Sequence, residues 1–331
     1  MTTLKELATI LNVSVSTVSK ALNDSPEIGE DTKARVKKLA KELNYQPNRL
    51  AQQLKSNASK TIGVIVPNIV NPFFAEALHG IESYASKHQY DIIITLSNEF
   101  FDKEARAINM LARGSVDGFI IAVARESQMT KNSSHFQSIL NNQIPLVMFD
   151  RVMDNLNCEK VVVDDYQSVY KATTKLIDNG RKHILLLSNI ADLSVGKLRT
   201  KGYQEAMEAH QLDVAILDLN QESDIDTHIK NYLQQHPETD AVVSIDHLTG
   251  IVALNMAQML GKKVPRDFEV VGFGYTETQL LVNSQIAVIR QKGEAIGHKT
   301  VELLLEQIAN KSNSAKETIV IPNDFKSAAI G

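Results

Sequence analysis

The stretch NVSVSTVSKALND, Asn12 to Asp24, sets serine and threonine hydroxyls and one lysine among regularly spaced apolar residues. Such side chains suit the major groove of DNA. A lysine ammonium donates to guanine O6 and N7, a serine hydroxyl donates or accepts, and a valine methyl meets the thymine methyl. An ordinary amphipathic helix has the same composition, so the surrounding charge matters. Up to Lys60 there are ten Lys and Arg against six carboxylates, a net +4 that leaves −8 on the remainder of a chain whose total is −4. A basic head on an acidic body is expected where only one end meets phosphates, because cationic side chains displace duplex counterions whereas an acidic surface is repelled. A solvated basic helix face would give the same count.

Catalytic spacings are missing. Gly261 and Lys262 mimic the end of a phosphate loop, but Met256 stands where the upstream glycine belongs. GSVDG, from Gly114, has its serine one place too early for a nucleophile elbow. The nine histidines are scattered, with no HExxH pair and no dinucleotide fingerprint. Cys158 is the single cysteine, which rules out an internal disulfide and a cysteine-built zinc site and suits a reducing compartment. These observations lead us to expect a chain that is not an enzyme, with no cofactor, no metal and a cytoplasmic location. No apolar run reaches the roughly 18 residues of a membrane span, and Met1 to Leu11 lacks the apolar core of an export signal.

The elements that would position these residues fall into two textures. In the head, Thr3 can cap a helix carrying Leu4, Leu7, Ala8 and Leu11, and Asn12 interrupts it. Ser14 can cap a second helix with Val15, Val18, Ala21 and Leu22. A third stripe, Thr32, Val36, Leu39, Ala40 and Leu43, closes a small core with Tyr45. Two short helices joined by a tight turn, with a supporting third, suit a helix-turn-helix module. Next comes NYQPNRLAQQLKSNASK, where Pro47 stops the preceding helix and Asn48 can start one of about eight residues, too short to be stable alone.

From Thr61 apolar runs alternate with amphipathic helices over residues 73–88, 103–112, 165–179, 197–210, 226–235, 248–260 and 293–310. The runs are TIGVIVP, DIIITLS, GFIIAVA, PLVMFD, KVVVDD, HILLLSN, VAILDLN, AVVSID, FEVVGFG and ETIVIP. Near-continuous apolar strands between helices imply parallel sheets covered on both faces. Some ten strands exceed one ordinary half-sheet, so two doubly wound subdomains with a cleft at the carboxyl ends of their strands are expected.

On these residues the chain resembles the LacI/GalR family of bacterial transcription regulators. The resemblance rests on TLKELATILNVSVSTVSKALN, ELNYQPNRLAQQL, IGVIVPNIVNPFFAEALHGIE, PLVMFDR, VVVDD, GRKHILLLS, RTKGYQEAM, VPRDFEVVGFG and VIRQKGEAIGHKTVELLL, and it runs nearly end to end. It implies an all-α helix-turn-helix head over 1–46, a hinge helix and linker over 47–60, and a periplasmic-binding-protein-like α/β core over 61–331. That core would divide into an N-subdomain (61–162 and 291–321) and a C-subdomain (163–290 and 322–331). It also implies a homodimer on a double-stranded, pseudo-palindromic operator, controlled by a small-molecule effector in the cleft, with a sugar or phosphosugar as the default and a nucleobase-like ligand as the alternative. A sugar-binding transport protein would share the core but have no use for a basic head.

The site residues carry over one by one. The second helix would lie in the major groove with Val15, Ser16 and Lys20 towards bases and Thr17, Ser19 and Asn23 towards phosphates. Asn48 and Arg49 would hold the backbone, while Leu54, beside Ala51, would wedge into the minor groove at the operator centre. The effector would meet Phe73, Phe74, Asp150, Arg151, Arg199, Asp246 and Gln291. Carboxylates accept from hydroxyls, guanidiniums donate in a fork, and phenyl rings cover an apolar sugar face. Asp150, Arg199 and Asp246 could instead form a structural ion-pair network at the cleft edge.

Overall fold

The computed structural model describes residues 2–45, 58–220, 222–273, 285–310 and 316–327. Contacts divide the chain after Ser59 into a small helical unit and a large α/β unit. In the small unit, α1 (Leu4–Leu11) begins at a reciprocal cap. Thr3 Oγ1 accepts from Glu6 N at 3.2 Å while Thr3 N donates to the Glu6 carboxylate at 2.8 Å. Asn12 ends it in the left-handed region, φ +53°, and turns the chain into α2 (Val15–Leu22). Ser14 Oγ caps α2 by accepting from Thr17 N at 3.0 Å. Ser14→Ala is expected to cost about 1 kcal/mol of head stability, read as a lower melting temperature of that unit. With α3 (Glu30–Glu42), the unit buries Leu7, Ala8, Val18, Ala21, Val36 and Ala40, and Ile28 and Tyr45 pack at the edge. Leu43 departs from the expected stripe. It sits at the cap of α3, where the helical repeat has ended, and is 37% exposed.

The large unit runs β1 (Thr61–Val66), α4 (Pro72–Lys87), β2 (Asp91–Leu96), α5 (Phe101–Leu111), β3 (Gly118–Ile121), α6 (Arg125–Thr130), α7 (Gln137–Asn141), β4 (Leu146–Phe149) and β5 (Glu159–Val163). It continues through α8 (Asp165–Asp178), β6 (Ile184–Ser188), α9 (Ser194–Ala209), β7 (Ala215–Asp218), α10 (Ile225–Gln235), β8 (Ala241–Ser244) and α11 (Thr249–Met259). The last elements are β9 (Glu269–Phe273), β10 (Ile286–Arg290), α12 (Gly293–Asn310), β11 (Thr318–Ile321) and β12 (Asp324–Lys326).

Two six-stranded sheets result, ordered β11-β5-β4-β3-β1-β2 and β12-β10-β9-β8-β6-β7. Every pairing is parallel except β12 against β10. Strands β10 and β12 were not among the ten expected runs. DFK spans only three residues and carries no strand-length apolar signal, whereas IAVIR does carry one, an apolar run at least as long as that of β8. The sheets are covered as parallel strands require: α4 and α12 bury Ile62, Val64, Phe74 and Leu304, whereas α5 and α7 bury Ile65, Phe119 and Met148 on the other face. Around the second sheet, α8 and α9 cover one face and α10 and α11 the other. Gly297 of α12 lies so close to α4 that a Cβ there would stand 2.2 Å from Ala77 O. Edge strand β2 departs from two-sided coverage, since Ile93, Ile94 and Leu96 are each more than a third exposed.

The chain passes between the sheets three times, at Asp164, at Gln291–Lys292 and at Pro322–Asn323. Two of these crossings are tied together: Asp164 Oδ1 accepts from Asn323 N at 2.8 Å and from Ser168 Oγ at 2.9 Å. Lys292 Nζ pairs with Asp324 at 2.9 Å. The two lobes thus share a short three-stranded hinge. Among the described residues no helix is long and apolar enough to cross a membrane.

Candidate functional site

On the head, Val15, Ser16 and Lys20 share the exposed face of α2, with Val15 44% exposed. The helix can present them because Val18 and Ala21, on its opposite side, are wholly buried. Thr17 and Ser19 are half-buried, and Thr17 Oγ1 lies 2.8 Å from the capping Ser14 Oγ. Asn23 is exposed at the end of α2, its amide donating to Ser19 O at 2.9 Å. Lys20 Nζ is ion-paired with Glu27, a partner that the sequence reading did not single out. Asn48, Arg49, Ala51 and Leu54 lie outside the described residues.

In the large unit, Phe73, Phe74, Asp150, Arg151, Arg199, Asp246 and Gln291 all line one cavity of about 190 Å³ between the two sheets. Strand ends and helix starts place them. Asn71 caps α4 by accepting from Phe73 N at 3.0 Å, with Pro72 at the first helical position, and this turns Phe73 and Phe74 inwards. Phe74 meets Phe149 edge to face at 6.2 Å, and the Arg151 guanidinium lies 5.5 Å from its ring centre. Asp150 follows β4 in the left-handed region, φ +56°, a backbone conformation unusual for aspartate that aims its side chain into the cleft. Burial pushes its carboxyl above the ordinary range, against the pull of Arg151 and Arg199 and a hydrogen bond with Gln291.

Each guanidinium lining the cavity is already matched to an acid. Arg151 Nη1 donates to both Glu99 oxygens, at 2.8 and 2.6 Å. Arg125 Nη2 donates to Asn189 O at 2.9 Å, with Asp192 at 3.4 Å. Arg199 Nε donates to Asp165 at 2.7 Å and Nη1 to Ile245 O at 2.8 Å, while the guanidinium covers the Phe273 ring at 3.7 Å. Asp246 instead builds the start of α11. One oxygen accepts from Leu248 N and Thr249 N at 2.8 and 2.9 Å, the other from Thr249 Oγ1 and Asn189 N at 2.8 and 3.2 Å. Asp150, Arg199 and Asp246 are therefore held separately rather than in one ion-pair network.

Asp165 is completely enclosed, and burial raises its carboxyl to about 6 despite Arg199. A raised folded value means that its stabilising contribution is complete below the unfolded value near 3.8 and is lost as pH rises through about 6. The stability difference between wild type and Asp165→Asn is thus expected to shift in the variant's favour across that window and then level off. Melting curves of the pair from pH 4 to 7 would measure it.

Asn68, Glu99, Arg125, Asn189, His247 and Phe273 also line the cavity and were not singled out from sequence. A signal existed for Phe273, which ends the FEVVGF run, and for Asn189, which follows HILLLS, since both mark carboxyl ends of strands. Burial lowers His247 below its ordinary range, leaving a neutral imidazole at pH 7. Among the described residues no group of three His, Cys, Asp or Glu is arranged to hold a metal.

A helix-turn-helix head on a two-lobed core with a polar cleft defines a ligand-responsive DNA-binding regulator of transcription. Residues 3–48 match the bacterial regulatory proteins of the lacI family, and residues 59–329 match the periplasmic binding proteins and sugar binding domain of LacI family. The chain belongs to the LacI family of bacterial regulatory proteins. It is 30% identical to the HTH-type transcriptional repressor PurR of Vibrio campbellii over 98% of this chain and 99% of that one. It is 29% identical to the ribose operon repressor of Haemophilus influenzae over 97% and 96% of the two chains. Among solved structures, the lac repressor dimer bound to operator and the anti-inducer ONPF matches with a TM-score of 0.85 at 20% identity, over 98% of each chain. The regulator CelR in complex with cellobiose matches with a TM-score of 0.71 at 23% identity, over 99% and 100%.

Proposed function

We propose that this regulator is a cytoplasmic repressor that binds a pseudo-palindromic operator as a homodimer, and that its effector is a single-ring, unphosphorylated sugar. The charge pairing in the cleft carries the effector assignment. The three lining guanidiniums are each neutralised by Glu99, Asp192 or Asp165, and Asp150 and Asp246 add negative charge, so the site offers donors and acceptors but no net cation for a phosphate. A volume of about 190 Å³ is small for a ligand cavity and suits one ring better than two. The homodimer is supported by the exposed apolar residues of β2 and of the turn that follows it, Ile93, Ile94, Leu96 and Phe100, the last 55% exposed. In this reading Val15, Ser16 and Lys20 face bases, Thr17, Ser19, Asn23, Asn48 and Arg49 hold phosphates, and Leu54 with Ala51 enters the minor groove.

Effector control would act through lobe closure. From the first lobe, Gln128 of α6 donates to Ser194 Oγ at 2.9 Å and accepts from Ser194 N at 3.2 Å in the second. Together with Arg125 on Asn189 O it clasps the cleft shut. A ligand that favours the clasped state shifts the lobe population and with it the spacing of the paired hinge segments. Gln128→Ala is expected to weaken effector binding by roughly tenfold, near 1.4 kcal/mol, read by ligand titration.

Calorimetric titration with free monosaccharides, their phosphates, disaccharides and purines, followed by operator binding with each hit, tests the reading. Binding by a free monosaccharide is expected, and exclusive binding of a phosphosugar or purine would overturn the effector assignment. Leu54→Ala, expected to weaken operator binding, tests the wedge: unchanged affinity would remove it.

A further inference from the structure

We propose that Glu27 is a specificity-determining residue that reads DNA together with Lys20, the pair recognising one G·C base pair in each half-site. The inference rests on the proposal that α2 lies in the major groove. Ser16 and Lys20 are four residues apart on the exposed side of α2, and the Lys20–Glu27 ion pair joins that side to the loop after the helix. The loop holds the carboxylate there. Ser25 N donates to Lys20 O at 3.0 Å, Ile28 N donates to Ser25 O at 3.2 Å, and Ile28 packs on the head core. On the other side of the turn, Asp24, at φ +54°, pairs with Lys37. Glu27 remains 64% exposed, so its carboxylate is placed on the surface without being enclosed.

A carboxylate among phosphate-seeking lysines is repelled by DNA unless a base donates to it, and the exocyclic amine of cytosine is the donor that the major groove offers opposite guanine. Along a G·C pair the acceptors N7 and O6 come first and the cytosine N4 amine follows. A joined ammonium and carboxylate present the complementary sequence of donor and acceptor, and the ion pair need not open. A T at the cytosine position would put O4 against the carboxylate, and a reversed pair would put O6 there, so rejection of the wrong base comes from Glu27 as well as attraction from Lys20. The result is discrimination that a lone lysine, a point charge with no fixed fork, does not give.

Selection of the full chain on a pool of randomised duplexes, followed by sequencing, tests this with wild type, Glu27→Ala and Lys20→Ala. The wild type is expected to enrich a palindrome with one G·C pair fixed in each half. Glu27→Ala should keep the rest of the palindrome but lose at least tenfold of the cytosine preference at that pair, at the same position that Lys20→Ala relaxes. The proposal is overturned if Glu27→Ala enriches the wild-type site with unchanged preferences. It is also overturned if that variant binds all sequences more tightly by one common factor, which would make Glu27 a charge screen. A wild type that enriches no palindrome would defeat the groove-binding reading itself, a result distinct from either.

Discussion

Arg199→Met is expected to abolish effector binding and to destabilise the core by about 3 kcal/mol, while the head melts as in the wild type. Arg199 is buried, donates to Asp165 and to the Ile245 carbonyl, and rests on Phe273, so truncation strands an enclosed carboxylate and an unpaired backbone oxygen. With its counter-charge gone, Asp165, already raised to about 6, would rise further and take up a proton at neutral pH, which limits the cost without removing it. The double variant Arg199→Met with Asp165→Leu separates structure from binding. Replacing both partners by apolar groups is expected to recover most of the lost stability, because a buried ion pair repays little more than its desolvation. Effector binding should stay lost, since Arg199 is also a lining group of the cleft. Calorimetric melting together with ligand titration reads both quantities, and a double variant that regains ligand binding would remove Arg199 from the site.

Gly196→Ala should produce the second largest change, a loss of at least tenfold in effector affinity and about 2 kcal/mol in core stability. A Cβ at Gly196 would stand 1.8 Å from Ile190 O and 2.6 Å from Ile190 C, which are backbone atoms rather than the yielding end of a side chain. The loop before α9 would have to move outwards, and that loop carries Asn189 and Ile190 of the cavity lining and the carbonyl that Arg125 grips, and leads into Ser194 of the clasp at the start of α9. One methyl group thus acts on both the shape of the site and the closure of the lobes. Ligand titration and the ligand dependence of operator binding check it, and an alanine variant with wild-type affinity would show that the loop yields freely.

Local chemistry was readable from sequence and long-range pairing was not. Thr3 and Ser14 could be identified as caps because a cap needs only the three residues that follow it. The seven residues expected to meet the effector were reachable through the family resemblance, and the fold draws all seven around one cavity. Glu99 and Arg125 carried no comparable signal: Glu99, after β2, meets Arg151, after β4, only through the strand order of the first sheet, and Arg125, at the start of α6, meets Asn189 only through the packing of the two lobes. The same holds for Asp165, visible only as part of VVVDD, whose partner Arg199 is 34 positions away. Glu27 was counted as one acid among six, and charge counting is blind to contact. Strand β2 misled in the other direction, since its isoleucines read as doubly covered although it has a neighbour on one side only.

The placement of α12 and β11 in the first lobe has a consequence during synthesis. The head has every residue of its buried cluster once Ala40 has been made, and its contacts are local, so it can fold early and fast. The first lobe cannot do the same. Ile296, Val301 and Leu304, which cover one face of its sheet, are translated only after the whole of the second lobe up to Arg290. From Val163 to Gly293 the ribosome needs on the order of ten seconds, and through that interval the apolar face that α12 will cover is left open. Nascent chains of this regulator are therefore most exposed to aggregation and to chaperone capture late in translation, when the operator-reading end is already complete.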